Sequence, residues 1–181
     1  MPLPSGAGRR ARIMEAAESL LMQHGLHGWS VEQVARTAEC AKGLVHYHFG
    51  TRAALLAAVA GAMGQQRIEQ RVRALAPRGT SALDALFAVL QQDAREGRSK
   101  AWLELGLNGA ADIHAAMTPS AEQLDRFAAA GGAALEMPPL RPDRARALLL
   151  VLDGLEAGLV RGARHPDIRE AYDQVWLAML G

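Results

Sequence analysis

The sequence predicts an all-α protein, with a small three-helix unit at the N-terminus and a larger helical region after it. Three observations carry that expectation. Apolar residues recur at spacings of three and four along almost the whole chain, the period of a helix with one buried face. No stretch shows the alternation of β-branched and polar residues that marks a half-buried strand. Pro119, Pro138, Pro139, Pro142 and Pro166 fall between the periodic segments or in their first turn, where proline is tolerated.

The elements follow in order. Residues 1–8 read as a flexible tail. Arg9 to His24 places Ile13, Ala16, Ala17, Leu20 and Leu21 on one face, and Gly25 is a natural stop. Ser30-Val31-Glu32-Gln33 is a capping box, in which the serine oxygen accepts from a free amide of the first turn and Gln33 reaches back. It opens a short helix with Val31, Val34, Ala35 and Ala38 inward. After a tight break at Glu39-Cys40, a third short helix carries Val45 and Phe49 four residues apart.

A long helix begins near Ala53 and lines up Leu55, Leu56, Val59, Met63, Ile68, Val72 and Leu75. Gly61 and Gly64 lie inside it, marking either close packing or a yielding segment. Thr80 or Ser81 caps the next helix, which runs to Arg95. Further helices are expected over 100–116, 120–136, 142–163 and 167–180. The expected organisation is a tail at 1–8, a helix-turn-helix unit at 9–52 and a larger helical domain at 53–181.

Composition narrows the classes. Half of the 181 residues are hydrophobic, which supplies a sizeable core and sets disorder aside. The formal net charge is +1, so any basic surface must be local. Cys40 is the only cysteine, which allows no internal disulfide and suits a reducing compartment. The start lacks the apolar core of a signal peptide, and "ALLLVL" stops at Asp153, far short of a membrane span. A soluble, cytoplasmic protein without membrane contact is expected.

Chemistry concentrates in "ECAKGLVHYHFGTR", Glu39 to Arg52. His46 and His48 are two apart, which turns them to opposite sides of a helix and prevents joint chelation. His24 and His27 straddle Gly25, and no carboxylate or second cysteine completes a zinc-like set. No nucleophile elbow, phosphate-cradling glycine loop or His-Glu-x-x-His pair is present. Cys40 reads as an apolar filler of the turn, and Asp153 with Glu156 as a buried hydrogen bond beside a solvated group. No catalytic residue, metal or cofactor is therefore expected.

Contact with nucleic acid accounts for more of this stretch. With Val45 and Phe49 inward, the opposite side of the helix centres on Gly43 and Tyr47, flanked by Lys42, Leu44 and His46. Lys42 and Arg52 offer charge to phosphates, Tyr47, His46 and His48 offer hydrogen bonds, and Leu44 suits a thymine methyl. Gly43 lets the backbone come close. A short capped helix, a tight break and a second short helix with a polar outer side is the helix-turn-helix plan.

The segment "SVEQVARTAECAKGLVHYHFGTRAALL" resembles the DNA-binding segment of the tetracycline-repressor-like (TetR) family of transcription regulators, and "ARIMEAAESLLMQHG" resembles that family's first helix. The match covers about the first fifty-five residues. It implies that Ser30, Lys42, Leu44, His46, Tyr47, His48 and Arg52 meet double-stranded operator DNA. Three residues depart from the pattern. Glu39 replaces the usual turn glycine, at roughly 1 kcal/mol for a left-handed residue. Ala41 replaces a hydroxyl cap, losing about 1 kcal/mol. His46 replaces a tyrosine, a contact that strengthens when the imidazole is protonated.

In the larger region, Ala145, Leu148, Leu152, Leu155 and Leu159 form one seam, and Ile168, Tyr172, Val175 and Met179 another. Leu149, Trp176 and Leu180 lie off these seams, so both helices are apolar on more than one side. A homodimer is expected to use Leu149, Leu152, Leu155, Leu159, Tyr172, Trp176 and Leu180, as the resemblance also implies. The resemblance further implies a small effector held among these helices. The apolar candidates to line its site are Phe87, Leu90, Trp102, Leu103, Leu107, Met117 and Phe127, with Glu104, Asn108 and His114 to orient it. With few aromatics, a small apolar molecule suits the region better than a flat aromatic cation. The expected function is a ligand-responsive regulator, a repressor by the family's habit. The alternative is a helical small-molecule-binding or enzymatic protein whose helix-turn-helix unit is degenerate.

Overall fold

The structure, a computed structural model, describes residues 6–179. Every regular element among them is an α-helix: α1 (Gly6–His24), α2 (Val31–Thr37), α3 (Lys42–Phe49), α4 (Arg52–Ala74), α5 (Thr80–Arg95), α6 (Arg98–Asn108), α7 (Ala111–Met117), α8 (Ala121–Ala134), α9 (Pro142–Val160) and α10 (His165–Met179). The all-α expectation holds. Residues 1–5 of the expected tail lie outside the described residues, whereas Gly6 to Gly8 already belong to α1. The single helix expected over 100–116 is two. Gly109 accounts for the break, since a Cβ there would lie 2.3 Å from the Leu105 carbonyl oxygen. Before α5 it is Gly79, at φ 63°, that occupies the cap position; Thr80 and Ser81 are already inside the helix.

Two compact units form. The first comprises the chain up to Gly64 together with Ala101–Thr118, and the second comprises Gln65–Lys100 and Pro119 onward. The division between the two packed units falls within α4 and α6. In the first unit α1, α2 and α3 pack on one another. Ile13, Ala17, Leu21, Val34, Ala35 and Val45 enclose a core that Leu55, Val59, Met63, Leu105 and Ile113 extend. The helix α2 has seven residues and α3 eight, too short to persist alone, so this packing is what holds them.

In the second unit α9 packs against α5, α8 and α10. Leu86, Leu90, Phe127, Leu148, Leu152, Tyr172 and Trp176 form its core. Tyr172 donates to the Leu83 carbonyl at 2.7 Å, and burial pushes its phenol well above the ordinary value. A buried ionic network lies in the same unit. Glu156, 1% exposed, accepts from Arg67 Nη2 at 2.7 Å, Arg71 Nη2 at 2.9 Å and Ser99 Oγ at 2.7 Å. Asp153, less deeply placed, accepts from the same two guanidiniums. Burial opposes the Arg71 charge, but Glu156 and Asp153 outweigh it and leave its pKa raised. Removing one member would strand a buried ion, which costs far more than the intact pair contributes.

Candidate nucleic-acid interface

The helix-turn-helix is built by local chemistry. Ser30 Oγ accepts from the Gln33 amide at 3.3 Å and the Gln33 side chain accepts from the Ser30 amide at 2.7 Å, closing the capping box that starts α2. The chain then turns through Glu39 at φ 51°, the left-handed conformation that the glycine of the family pattern would take without strain. The N-cap of α3, Ala41, makes no side-chain hydrogen bond. Val45 and Phe49 are buried, which fixes the rotation of α3 and sends its other side outward.

On that outward side Tyr47 is 81% exposed, and Lys42, Gly43 and His46 are exposed beside it. A Cβ on Gly43 would meet nothing within 4 Å, so the bare backbone there is open to an incoming surface. His46 Nδ1 lies 3.1 Å from the Gly50 carbonyl oxygen. A carbonyl only accepts, so Nδ1 carries the proton and neutral His46 offers Nε2 as an acceptor. Leu44 and His48 are half-buried at the flanks. Leu44 packs on the core, and His48 Nε2 is shielded, with its ring edge-on to Tyr47 at 5.2 Å between centroids.

Two residues matter here that sequence reasoning passed over. Glu32, on α2, receives a hydrogen bond from the Lys42 ammonium, and that bond holds its carboxyl down at about 2. The ten-residue separation of this pair has no helical periodicity to reveal it. Arg10 of α1 lies over the Phe49 ring, 4.9 Å from its centroid, and adds a cation at the end of α3.

Arg52 and Glu104 are engaged within the first unit. The Arg52 guanidinium donates to the Leu26 carbonyl and stacks 4.2 Å above the Trp29 ring; partial burial lowers its pKa. The Glu104 carboxylate accepts from the Leu26 amide at 2.7 Å.

The residues expected around an effector are distributed over both units. Phe87, Leu90 and Phe127 lie in the packed core of the second, all at most 4% exposed. Trp102 and Met117 pack against the core of the first, Leu103 is half-buried, and Leu107, Asn108 and His114 are exposed. His114 Nε2 lies 3.0 Å from the Gly106 carbonyl oxygen. Within the second unit, one open cleft of about 430 Å³ is lined by Gln91, Ala94, Arg95, Leu159 and His165. Another, of about 340 Å³, is lined by Gln70, Arg73, Ala74, Ala85, Val89, Gln92, Asp93 and Arg98.

Of the residues expected at a dimer face, Leu149, Leu152, Leu155, Tyr172 and Trp176 are buried in the chain's own core, and Leu159 is half-buried against it. Leu180 lies outside the described residues. The same two helices expose other apolar side chains: Leu150 at 69%, Val151 at 37% and Leu177 at 59%.

Residues 13–59 match the family model described as bacterial regulatory proteins, tetR family. No curated protein matches the chain. Among solved structures, a TetR-family transcriptional regulator from Rhodococcus sp. is similar at 21% identity, over 94% of this chain and 96% of that one, with a TM-score of 0.67. A TetR-family regulator from Streptomyces coelicolor is similar at 23% identity, over 96% and 98%, with a TM-score of 0.60. The multidrug binding protein EbrR, complexed with imidazole, is similar at 26% identity, over 92% and 89%, with a TM-score of 0.65. A second EbrR structure holds ethidium.

Proposed function

We propose that the chain is a TetR-family, DNA-binding transcription regulator that binds a palindromic operator as a homodimer, represses there, and is released by a small molecule, a reading supported by its N-terminal segment and its fold. The observation that carries this is the outward side of α3, where Lys42, Gly43, His46 and Tyr47 are exposed opposite a buried Val45 and Phe49. Such a helix suits the major groove, with lysine for a phosphate and Tyr47 and His46 for base edges. None of the three departures from the family pattern, Glu39, Ala41 and His46, prevents α2 and α3 from forming. Residues 9–52 are the reading unit on this proposal, and 53–181 carry effector binding and dimerisation.

Two-fold symmetry would present two α3 helices to one site. Leu150, Val151 and Leu177 are the side chains a partner subunit would cover, replacing Leu149 and Trp176 in that role. Their exposure supports the reading, because three large apolar groups on adjacent helices are left partly open to solvent.

The effector reading draws on EbrR, whose structures hold imidazole and ethidium. Both halves are tested on the full chain. Duplex from upstream of its own gene should shift in a gel, with affinity falling steeply as salt rises. Ethidium, which intercalates, is titrated by fluorescence without DNA; it is the flat aromatic cation that EbrR holds, in contrast to the small apolar molecule expected from composition, and on the EbrR-based reading it should bind saturably. Failure to shift any duplex removes the operator claim; absence of saturable binding removes a multidrug-type effector.

A further inference from the structure

The turn between α1 and α2, residues 25–30, is held at Leu26 from two sides. Its amide donates to Glu104 Oε2 of α6 at 2.7 Å, and its carbonyl accepts from Arg52 at the start of α4. Arg52 is itself held flat by the Trp29 ring, 4.2 Å away. Gly25 sits at φ 74°, and a Cβ there would come 2.8 Å from Glu104 Oε2, so the turn leaves room for the carboxylate. Leu26 and Trp29 are each 5% exposed.

This arrangement gives a role to two residues whose expected contacts lay elsewhere. Arg52 was expected on a phosphate and Glu104 on an effector, and both hydrogen-bond the Leu26 main chain. Glu104 is 78 residues from Leu26 in sequence, so the bond is made by tertiary packing alone. The turn is the covalent link through which α1 carries α2 and α3. Short helices read DNA only when their orientation is held, which calls for supporting residues locked by their own contacts.

We propose that Glu104 and Arg52 are positioning residues for DNA reading, clamping the Leu26 main chain so that α2 and α3 are presented at one fixed angle, without themselves touching DNA. The proposal rests on the DNA-binding reading above. Operator binding needs that angle, because several contacts must form together. Non-specific binding needs much less of it, since phosphates are met from many orientations. Loss of the clamp therefore costs discrimination more than it costs general affinity.

The test compares the full chain with Glu104→Ala, Glu104→Gln and Arg52→Ala, on the shifted upstream duplex and on an unrelated duplex of equal length. Thermal melting first establishes that each variant is folded at the assay temperature. Glu104→Ala should weaken operator binding by about tenfold, as loss of a charge-assisted hydrogen bond implies. The unrelated duplex should change by less than about twofold. Glu104→Gln keeps an acceptor for the Leu26 amide and should fall between. Arg52→Ala should lose discrimination while leaving the salt slope unchanged, whereas loss of a phosphate contact would lower it by about one. A slope lowered by that amount overturns the clamp, as does an unchanged operator-to-unrelated ratio in Glu104→Ala or, should that variant not fold, in Glu104→Gln and Arg52→Ala. If the unmodified chain shifts neither duplex, the DNA-binding reading falls and the clamp's role falls with it. A defect confined to the variants separates the two.

Discussion

Lys42 is already paired, its ammonium donating to the Glu32 carboxylate. Both it and Glu32 have side chains about half exposed, at 53% and 52%, so the pair adds little to stability. On the proposed reading the pair is a competitor, since a phosphate would have to draw the ammonium away from the Glu32 carboxylate. Glu32→Gln removes that competitor and is expected to tighten binding to any duplex by roughly threefold or more at low salt. Lys42→Ala should weaken all duplexes and lower the salt slope by about one. Both outcomes are read from binding isotherms at several salt concentrations. The pH dependence has a definite sign. The Glu32 carboxyl is depressed from 4.5 to about 2, so the pair is present above the ordinary value and is lost as pH falls through about 2. Any change in DNA affinity between about pH 5 and 7 therefore does not come from Glu32. At this scale the sequence showed which side of α3 is buried, because Val45 and Phe49 repeat at four. It did not show that Leu44 and His48 are half-covered, since that depends on neighbours packed beside the stripe.

Among the elements, α4 bears the question raised by its two glycines. An added Cβ at Gly61 would meet Ala116 no closer than 3.7 Å, an ordinary contact. At Gly64 it would lie 3.2 Å from Trp102 Cη2, tight enough that the ring must give. Gly61→Ala is therefore expected to stabilise by about 0.5–1 kcal/mol through helix propensity. Gly64→Ala should gain less or lose stability, because crowding on Trp102 offsets the same term. Thermal melts of the two single variants check this; equal gains would show that Gly64 is not a packing position. Helix existence was legible because the apolar spacing is strong throughout. The break between α6 and α7 was missed because the spacing runs on across Asn108-Gly109, although that pair is itself a helix-ending signal. Which element meets which was not legible at all. Nothing local in Glu104 points to a turn 78 residues away.

For the whole molecule, the dimer proposal makes opposite forecasts for adjacent residues. Leu150→Asp with Leu177→Asp places charge on exposed surface and should leave the fold intact while yielding a mass of one chain in light scattering. Leu149→Asp puts a carboxylate at a site 7% exposed and Trp176→Asp at one 2% exposed, so either should cost several kcal/mol and unfold the second unit. If the exposed pair of substitutions leaves the mass at two chains, another face holds the dimer. The sequence seams were real, but an apolar stripe does not say whether its own chain or a second copy covers it. Here the chain covers most of it, and the outward remainder is a separate set of residues. The central claim is that α3 reads DNA as one of a symmetric pair, and a protection footprint on the upstream duplex tests it most directly. Two protected half-sites related by a dyad are expected, with centres about 34–36 Å apart or a multiple of that, and loss of both half-sites together when Tyr47 is replaced by alanine. A single unpaired patch, or protection that survives Tyr47→Ala unchanged, would contradict it.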